Sequence, residues 1–253
     1  MPNTELWQNY ADLVRDNCQF LANWPPAGNT VSVGDIGIYN EGYWDCRGNV
    51  LDPSQGYNVS AQPVTGAKIS KINAVSKNTQ TLKFELKAGV KSKPVSAIPA
   101  TGEATYEMQY TSEESWVGTI TFNDVVKTAI QSGTTPKGSG DLDALLDFLA
   151  AQYGDRFARG KTTLGLVTGI HTASAYLMMA STNAKSGLSV AGSAKAMSSY
   201  AEGSVSAGLK TDVSKSDDLQ CNGTEETVVG MDLYRYDGDA RRGKFKNWFG
   251  GSF

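Results

Sequence analysis

The sequence has little of what usually carries chemistry. There is one histidine, His171, and the three cysteines, Cys18, Cys46 and Cys221, are far apart with no CxxC spacing. Neither a zinc site nor a disulfide framework follows from such a pattern. HExxH, GxSxG and the dinucleotide-binding glycine fingerprint are missing, so metal-assisted hydrolysis, acyl transfer and dinucleotide binding lack their signatures. The stretch GDRFARGKT, Gly154 to Thr162, imitates a phosphate loop. It has one residue too many between its glycines, and it follows a predicted helix and precedes a predicted strand, the reverse of the required order. His171 has no acid or nucleophile near it in sequence. The carboxylate pairs Glu113-Glu114, Asp217-Asp218 and Glu225-Glu226 stand among polar and turn residues and read as solvated. No enzymatic activity, cofactor or metal is expected.

Other absences bound the class. The balance of 23 Lys and Arg against 26 Asp and Glu argues against a nucleic-acid partner held by bulk charge. The longest near-apolar run, Leu164 to Ala180, is broken by Thr168, Gly169, His171, Thr172 and Ser174, so a membrane-spanning helix is not expected. The start, MPNTELWQNY, has no basic or long apolar region, so no signal peptide is expected, and Met1-Pro2 excludes N-myristoylation. The sequons at Asn58 and Asn222 read as chance, and the expected compartment is the cytosol. A chain of 253 residues can bury a substantial core without disulfides.

What is present is alternation. The 27 glycines exceed the usual share of about 7% and suit a turn-rich β protein. In the stretch Thr162 to Asp212, Leu188, Val190, Gly192, Ala194 and Ala196 alternate with Ser189, Ala191, Ser193, Lys195 and Met197. Val205, Ala207 and Leu209 repeat the pattern, and Asn183 to Gly187 supplies a turn. This period of two predicts a hairpin over 162–212 with one apolar and one wet face. A second hairpin is predicted over 66–122. There Leu82, Phe84, Leu86, Ala88 and Val90 alternate with polar residues, as do Ala104, Tyr106, Met108 and Tyr110. Its first arm is basic (Lys68, Lys71, Lys77, Lys83, Lys87, Lys91, Lys93) and its second acidic (Glu103, Glu107, Glu113, Glu114). Cross-strand charge pairing would explain that without any ligand.

Around the hairpins, helical spacing predicts a first helix over 4–24 from Leu6, Tyr10, Leu13, Val14, Cys18 and Leu21, stopped by Pro25-Pro26. Two short strands are expected within 30–60, turning at Asn40 to Gly42. A short helix capped by Asn123 is expected over 123–132, a stronger one over 141–153, a polar loop over 213–223 and a last strand over 227–236. The tail, 239–253, mixes Arg241, Arg242, Lys244 and Lys246 with Phe245, Trp248 and Phe249. Such a mixture suits either a membrane interface or a terminal helix docked by its rings.

This order of elements resembles the pore-forming domain of the gasdermins, most closely the short fungal gasdermin-like regulators of cell death. The likeness lies in the amphipathic first helix LWQNYADLVRDNCQFL, the aromatic unit GDIGIYNEGYWD, the two hairpins, the strand opening at Leu166 to Ile170, Glu202-Gly203, and the closing strand TVVGMDLYRY. The resemblance implies an α+β fold over 1–238: a twisted antiparallel sheet, surrounding helices, and two amphipathic β-hairpins that become membrane-spanning. It implies a protein that is cytoplasmic when inactive. On binding acidic phospholipids (phosphatidylserine, phosphoinositides or cardiolipin), such proteins form rings in the plasma membrane, where each subunit gives four strands to a large β-barrel. A barrel must close, because hydrocarbon tolerates no unpaired backbone. The outcome is lytic regulated cell death, in fungal non-self recognition with a divergent variant of the same protein as a possible partner.

The chain departs from many gasdermins in leaving no room for a large C-terminal repressor domain, and its first helix is acidic. Lipid contact is therefore expected from Lys68, Lys71, Lys77, Lys83, Lys87, Lys91 and Lys93 and from the tail residues Arg241, Arg242, Lys244, Lys246 and Trp248. The lipid-facing set is Leu82, Phe84, Leu86, Tyr106, Met108, Leu188, Val190, Ala194, Val205 and Leu209. His171 is structural or faces the lumen. Val190→Asp or Leu188→Asp is expected to leave the monomer soluble and abolish pores. The competing expectation is a soluble β-rich binding module whose hairpins stay in a water-facing sheet.

Overall fold

The computed structural model describes residues 4–23, 30–40, 43–52, 54, 63–76, 79–86, 103–110, 116–130, 162–182, 188–213, 219–236 and 245–247. In chain order the elements are α1 (Thr4–Cys18), β1 (Leu21–Ala22), β2 (Asp35–Asn40), β3 (Tyr43–Asn49), β4 (Pro63–Val75), β5 (Thr79–Leu86), β6 (Glu103–Tyr110) and β7 (Val117–Ile130). There follow β8 (Thr162–Ala173), β9 (Ala175–Ser181), β10 (Leu188–Ser193), α2 (Ala194–Ala201), β11 (Leu209–Val213), β12 (Leu219–Gly223), β13 (Thr227–Tyr236) and β14 (Phe245–Asn247). The fold is α+β and mostly antiparallel sheet with few helices. It divides into two compact units, one of Met1–Cys18, Ile69–Val125 and Ala173–Thr227, the other of Gln19–Lys68, Val126–Thr172 and Val228–Phe253.

In the first unit, β7 pairs antiparallel with β9 from Val117↔Ser181 to Asn123↔Ala175, and β9 pairs with β12. A separate four-stranded sheet runs β11-β10-β6-β5. The core joins Leu177 and Met179 of β9 to Leu188 and Val190 of β10, Ala196, Met197 and Tyr200 of α2, and Val205 and Leu209. Burying each larger side chain of this kind stabilises by roughly 1.5–3 kcal/mol. Helix α1 buries Leu6, Tyr10, Leu13 and Val14, as its spacing requires. The Tyr10 hydroxyl donates to Met178 Sδ at 2.8 Å.

In the second unit, β2 and β3 form the expected hairpin, and β2 also pairs with β8 from Ile36↔Leu166 to Asn40↔Thr162. The register shifts between Ile36 and Gly37, and a Cβ at Gly37 would lie 2.3 Å from the Asp45 carbonyl oxygen. Only glycine lets the two backbones approach so closely there. Leu21, Val31, Tyr39, Trp44, Val167, Met231 and Leu233 form the core of this unit.

Several expectations need correction. The first helix ends at Cys18, because Gln19 turns left-handed with φ 61° and Leu21-Ala22 then join β13. Residues 123–130 are strand, not helix: Val126 to Ala129 pair with Thr172 to Gly169 of β8. Val125, Val126, Thr128 and Ile130 are β-branched and prefer a pleated surface.

The region 162–212 is not one hairpin. Strands β8 and β9 pair with β7, whereas β10 pairs with β6 and β11. Its alternation also stops at Ser193, whose Oγ accepts the Ala196 N–H at 3.3 Å and caps α2. Ala194, expected in an extended arm, is the first residue of that helix. The run AKAMSSYA satisfies a period of two on paper, yet Ala, Lys and Met favour helix once a cap is supplied. The expected loop 213–223 holds β12. In the tail, 245–247 is strand paired with Tyr234 to Tyr236 rather than helix. The expected helix over 141–153 lies outside the described residues.

Ser193→Ala is expected to destabilise by about 1 kcal/mol through the lost cap, read as a lower thermal midpoint. An unchanged midpoint would show that the cap contributes nothing.

Candidate membrane-active surface

Strand β4 stands out for exposure. All of its residues except Ile72 and Ala74 are exposed. Of the four exposed large hydrophobics among the described residues, three lie on it: Val64 at 45%, Ile69 at 49% and Val75 at 41%. Val64 and Lys68 fall in the second unit, Ile69, Lys71 and Val75 in the first. Along its first-unit part the strand is fastened to β7. Thr121 Oγ1 donates to Asn73 Oδ1 at 3.3 Å, Thr119 Oγ1 to the Ala74 carbonyl at 3.3 Å, and Ser76 N to the Gly118 carbonyl at 2.8 Å. In the second unit the exposed Val64 accompanies the exposed Lys68, and in the first the exposed Ile69 and Val75 accompany Lys71.

The sheet β11-β10-β6-β5 gathers strands from both segments read as hairpins. Leu188 stands opposite Met108 and Val190 opposite Tyr106, while Ser189 faces Glu107 and Ala191 faces Thr105. On the far side of β6, Met108 stands opposite Thr81, Tyr106 opposite Phe84 and Ala104 opposite Leu86. A register shift between Leu82 and Phe84 places Leu82 opposite Glu107. Lys83 sits at that shift, so Leu82 falls out of step with Phe84 and Leu86, which corrects the single alternating run. In this register Glu107 stands opposite Leu82 and Glu85 opposite Thr105.

The predicted site residues thus divide. Lys68 and Lys71 share an exposed strand, and Lys71 Nζ already donates to the Glu202 carbonyl. Leu188, Val190, Val205 and Leu209 are buried in the core of the first unit. Leu82, Lys83, Phe84 and Leu86 lie on β5, Tyr106 and Met108 on β6, and Lys246 on β14 opposite Arg235. Lys77, Lys87, Lys91, Lys93, Arg241, Arg242, Lys244 and Trp248 lie outside the described residues.

In the second unit the lone histidine has an acid partner that sequence distance concealed. His171 Nε2 lies 3.1 Å from Asp232 Oδ1, and Lys127 Nζ lies 2.6 Å from Asp232 Oδ2. Lys127 is also the cross-strand neighbour of His171. The imidazole stacks on Phe20 with centroids 4.3 Å apart, and its Nδ1 is buried without a partner among the described residues. Burial pushes the Asp232 carboxyl up. Hydrogen bonds and charge from His171 and Lys127 outweigh that and hold it below the usual carboxylate range.

The thiols are poor nucleophiles near neutral pH: burial pushes Cys18 up to about 12 and raises Cys46 and Cys221 too. Among the described residues no three His, Cys, Asp or Glu could hold a metal ion, and no helix is long and apolar enough to cross a membrane. The latter does not bear on crossing by strands.

The class defined by these elements is a mostly antiparallel α+β protein with an exposed, basic and apolar strand. No family model matches the sequence, and no curated protein matches it.

Proposed function

We propose that this chain is a pore-forming protein of the gasdermin type. It is cytoplasmic while inactive and binds acidic phospholipids, whether phosphatidylserine, phosphoinositides or cardiolipin. It then associates with copies of itself into rings and inserts a large β-barrel in the plasma membrane. The consequence is lytic regulated cell death in fungal allorecognition, with a divergent variant of the same protein as a candidate partner.

One observation carries this reading. Four strands from two distant segments, β5, β6, β10 and β11, already neighbour one another antiparallel in one sheet. Such strands are the material of a barrel, where only continuous strand pairing satisfies the backbone in hydrocarbon. On β10 the apolar alternation is buried against α2 and β9. Insertion would exchange that apolar environment for lipid tails, at far less cost than exposing it to water. The strands are 8, 8, 6 and 5 residues long, against about 9–11 tilted residues for a span. The proposal therefore requires the strands to lengthen, and on the β10–β11 side the residues available are those of α2 and the turn after it.

The exposed face of β4 supports initial lipid contact. Each basic residue near an anionic surface contributes on the order of 1 kcal/mol. Lys68→Ala is therefore expected to weaken co-flotation with phosphatidylserine vesicles about fivefold, and to leave flotation with neutral phosphatidylcholine vesicles unchanged. Equal loss on both would show that Lys68 acts through folding instead. The reading itself is tested by flotation of purified protein with acidic and neutral vesicles. Protein that stays with the soluble fraction at every acidic composition, alone and with a variant partner, contradicts it.

A further inference from the structure

Resting on the pore-forming reading, we propose that Asn123 and Lys71 form a clasp that pins the end of α2, and that its release lets β10, α2 and β11 extend into one arm. The segment Glu202 to Gly208 joins α2 to β11. It is tied to its neighbours by side chains, not by a strand ladder. Asn123 Nδ2 donates to the Val205 carbonyl at 2.7 Å and Asn123 Oδ1 accepts the Val205 N–H at 3.0 Å. One side-chain amide thus plays the part of a neighbouring strand's peptide group. Lys71 Nζ donates to the carbonyl of Glu202, the residue that caps the C-terminal end of α2.

The clasp is held rigid from both sides. Ser174 N and Oγ both donate to the Asn123 carbonyl, at 3.0 and 3.4 Å, and the next residue, Asp124, is left-handed at φ 52°. On the other side Gly203, at φ 80°, donates its N–H to the Tyr200 carbonyl at 2.9 Å, and Ser204 N reaches the Ser199 carbonyl at 2.8 Å. The helix therefore closes tightly and delivers Val205 to Asn123. Val205 packs in the core with Val190, Met197 and Leu209. Ser206 Oγ, next along, is buried with no partner among the described residues, so opening would return it to water. The geometry makes the segment separable: three side-chain hydrogen bonds can break while the β7–β9 ladder stays paired.

The test is hydrogen exchange by mass spectrometry on the soluble protein, run beside dye release from phosphatidylserine vesicles. Asn123→Ala is expected to speed exchange over 202–209 about tenfold to a hundredfold, and Lys71→Met about threefold to tenfold, with 175–181 and 219–223 still protected. Asn123→Ala releases dye faster than the parent, whereas Lys71→Met also removes an ammonium group from the lipid-contact strand and is read by exchange alone. Should Asn123→Ala fail to fold, Asn123→Asp keeps the acceptor for Val205 N but sets a carboxylate oxygen against the Val205 carbonyl, and is expected to show a comparable rise in the same segment. Unchanged exchange over 202–209 overturns the clasp even if dye release changes. A rise spread equally over 175–181 and 219–223 also overturns it, because Asn123 would then support the whole unit. A local rise with no dye release from any form leaves the clasp standing and removes the pore-forming reading.

Discussion

Val190→Asp is expected to destabilise the folded protein by about 4 kcal/mol or more. Val190 has no exposed surface, and its cluster is formed by Leu177, Met179, Leu188, Met197 and other apolar groups. An aspartate there would be a buried carboxylate with no partner offered by that cluster. Its choices are to protonate, to drag water into the core, or to open the unit, and each costs several kcal/mol. From alternation alone the substitution reads as harmless to the monomer and fatal to pores; the burial corrects that. Urea unfolding checks it. A midpoint close to the parent's would remove Val190 from the core. Leu188→Asp, at an equally buried position, is expected to behave the same way.

Asp232→Asn is expected to cost about 2–3 kcal/mol at neutral pH. Breaking a buried ion pair costs roughly 3–5 kcal/mol, and the figure is lowered here because Lys127 is 48% exposed. The loss depends on pH with a definite sign. Asp232 is held below the usual carboxylate range in the folded protein by His171 and Lys127, against the effect of burial. Its contribution is therefore complete above the ordinary carboxylate pKa of about 4 and fades as pH falls through the lower folded value. The gap in stability between the parent and Asp232→Asn should be full near pH 7 and narrow under acid. A gap independent of pH would mean that the side chain acts by shape alone.

Much of the local structure was legible because it obeys one period. Helix α1 shows its spacing but not its stop, while the β2–β3 hairpin and β13 show both: Ile36 and Ile38 before the turn at Asn40, and the unbroken run TVVGMDLYRY. What failed did so where a residue type has two uses. Asn123 is an equally good helix cap and strand-to-segment bridge, and only the position of Val205 decides between them. Ser193 reads as the wet side of a strand until its hydroxyl is seen to cap α2. Pairing partners were not legible at all: nothing local says that β10 prefers β6 over β9, because small alternating residues fit many registers.

The candidate site was legible only in outline. Lys68 and Lys71 stand out by charge, but the exposed Val64 in the second unit and Ile69 and Val75 in the first carry no local sign of exposure. The His171–Asp232 contact spans 61 residues and has no spacing to betray it. The one-residue slip at Lys83 equally escapes a reading based on strict alternation.

The central claim is that these strands leave the soluble fold and line a wide hole. Its most direct test is release of size-graded fluorescent dextrans from vesicles containing phosphatidylserine or cardiolipin, with phosphatidylcholine vesicles as control. The account predicts release from acidic vesicles only, of small and large dextrans together, as a large barrel requires. Intact acidic vesicles, with the protein alone and with a divergent variant added, would contradict it.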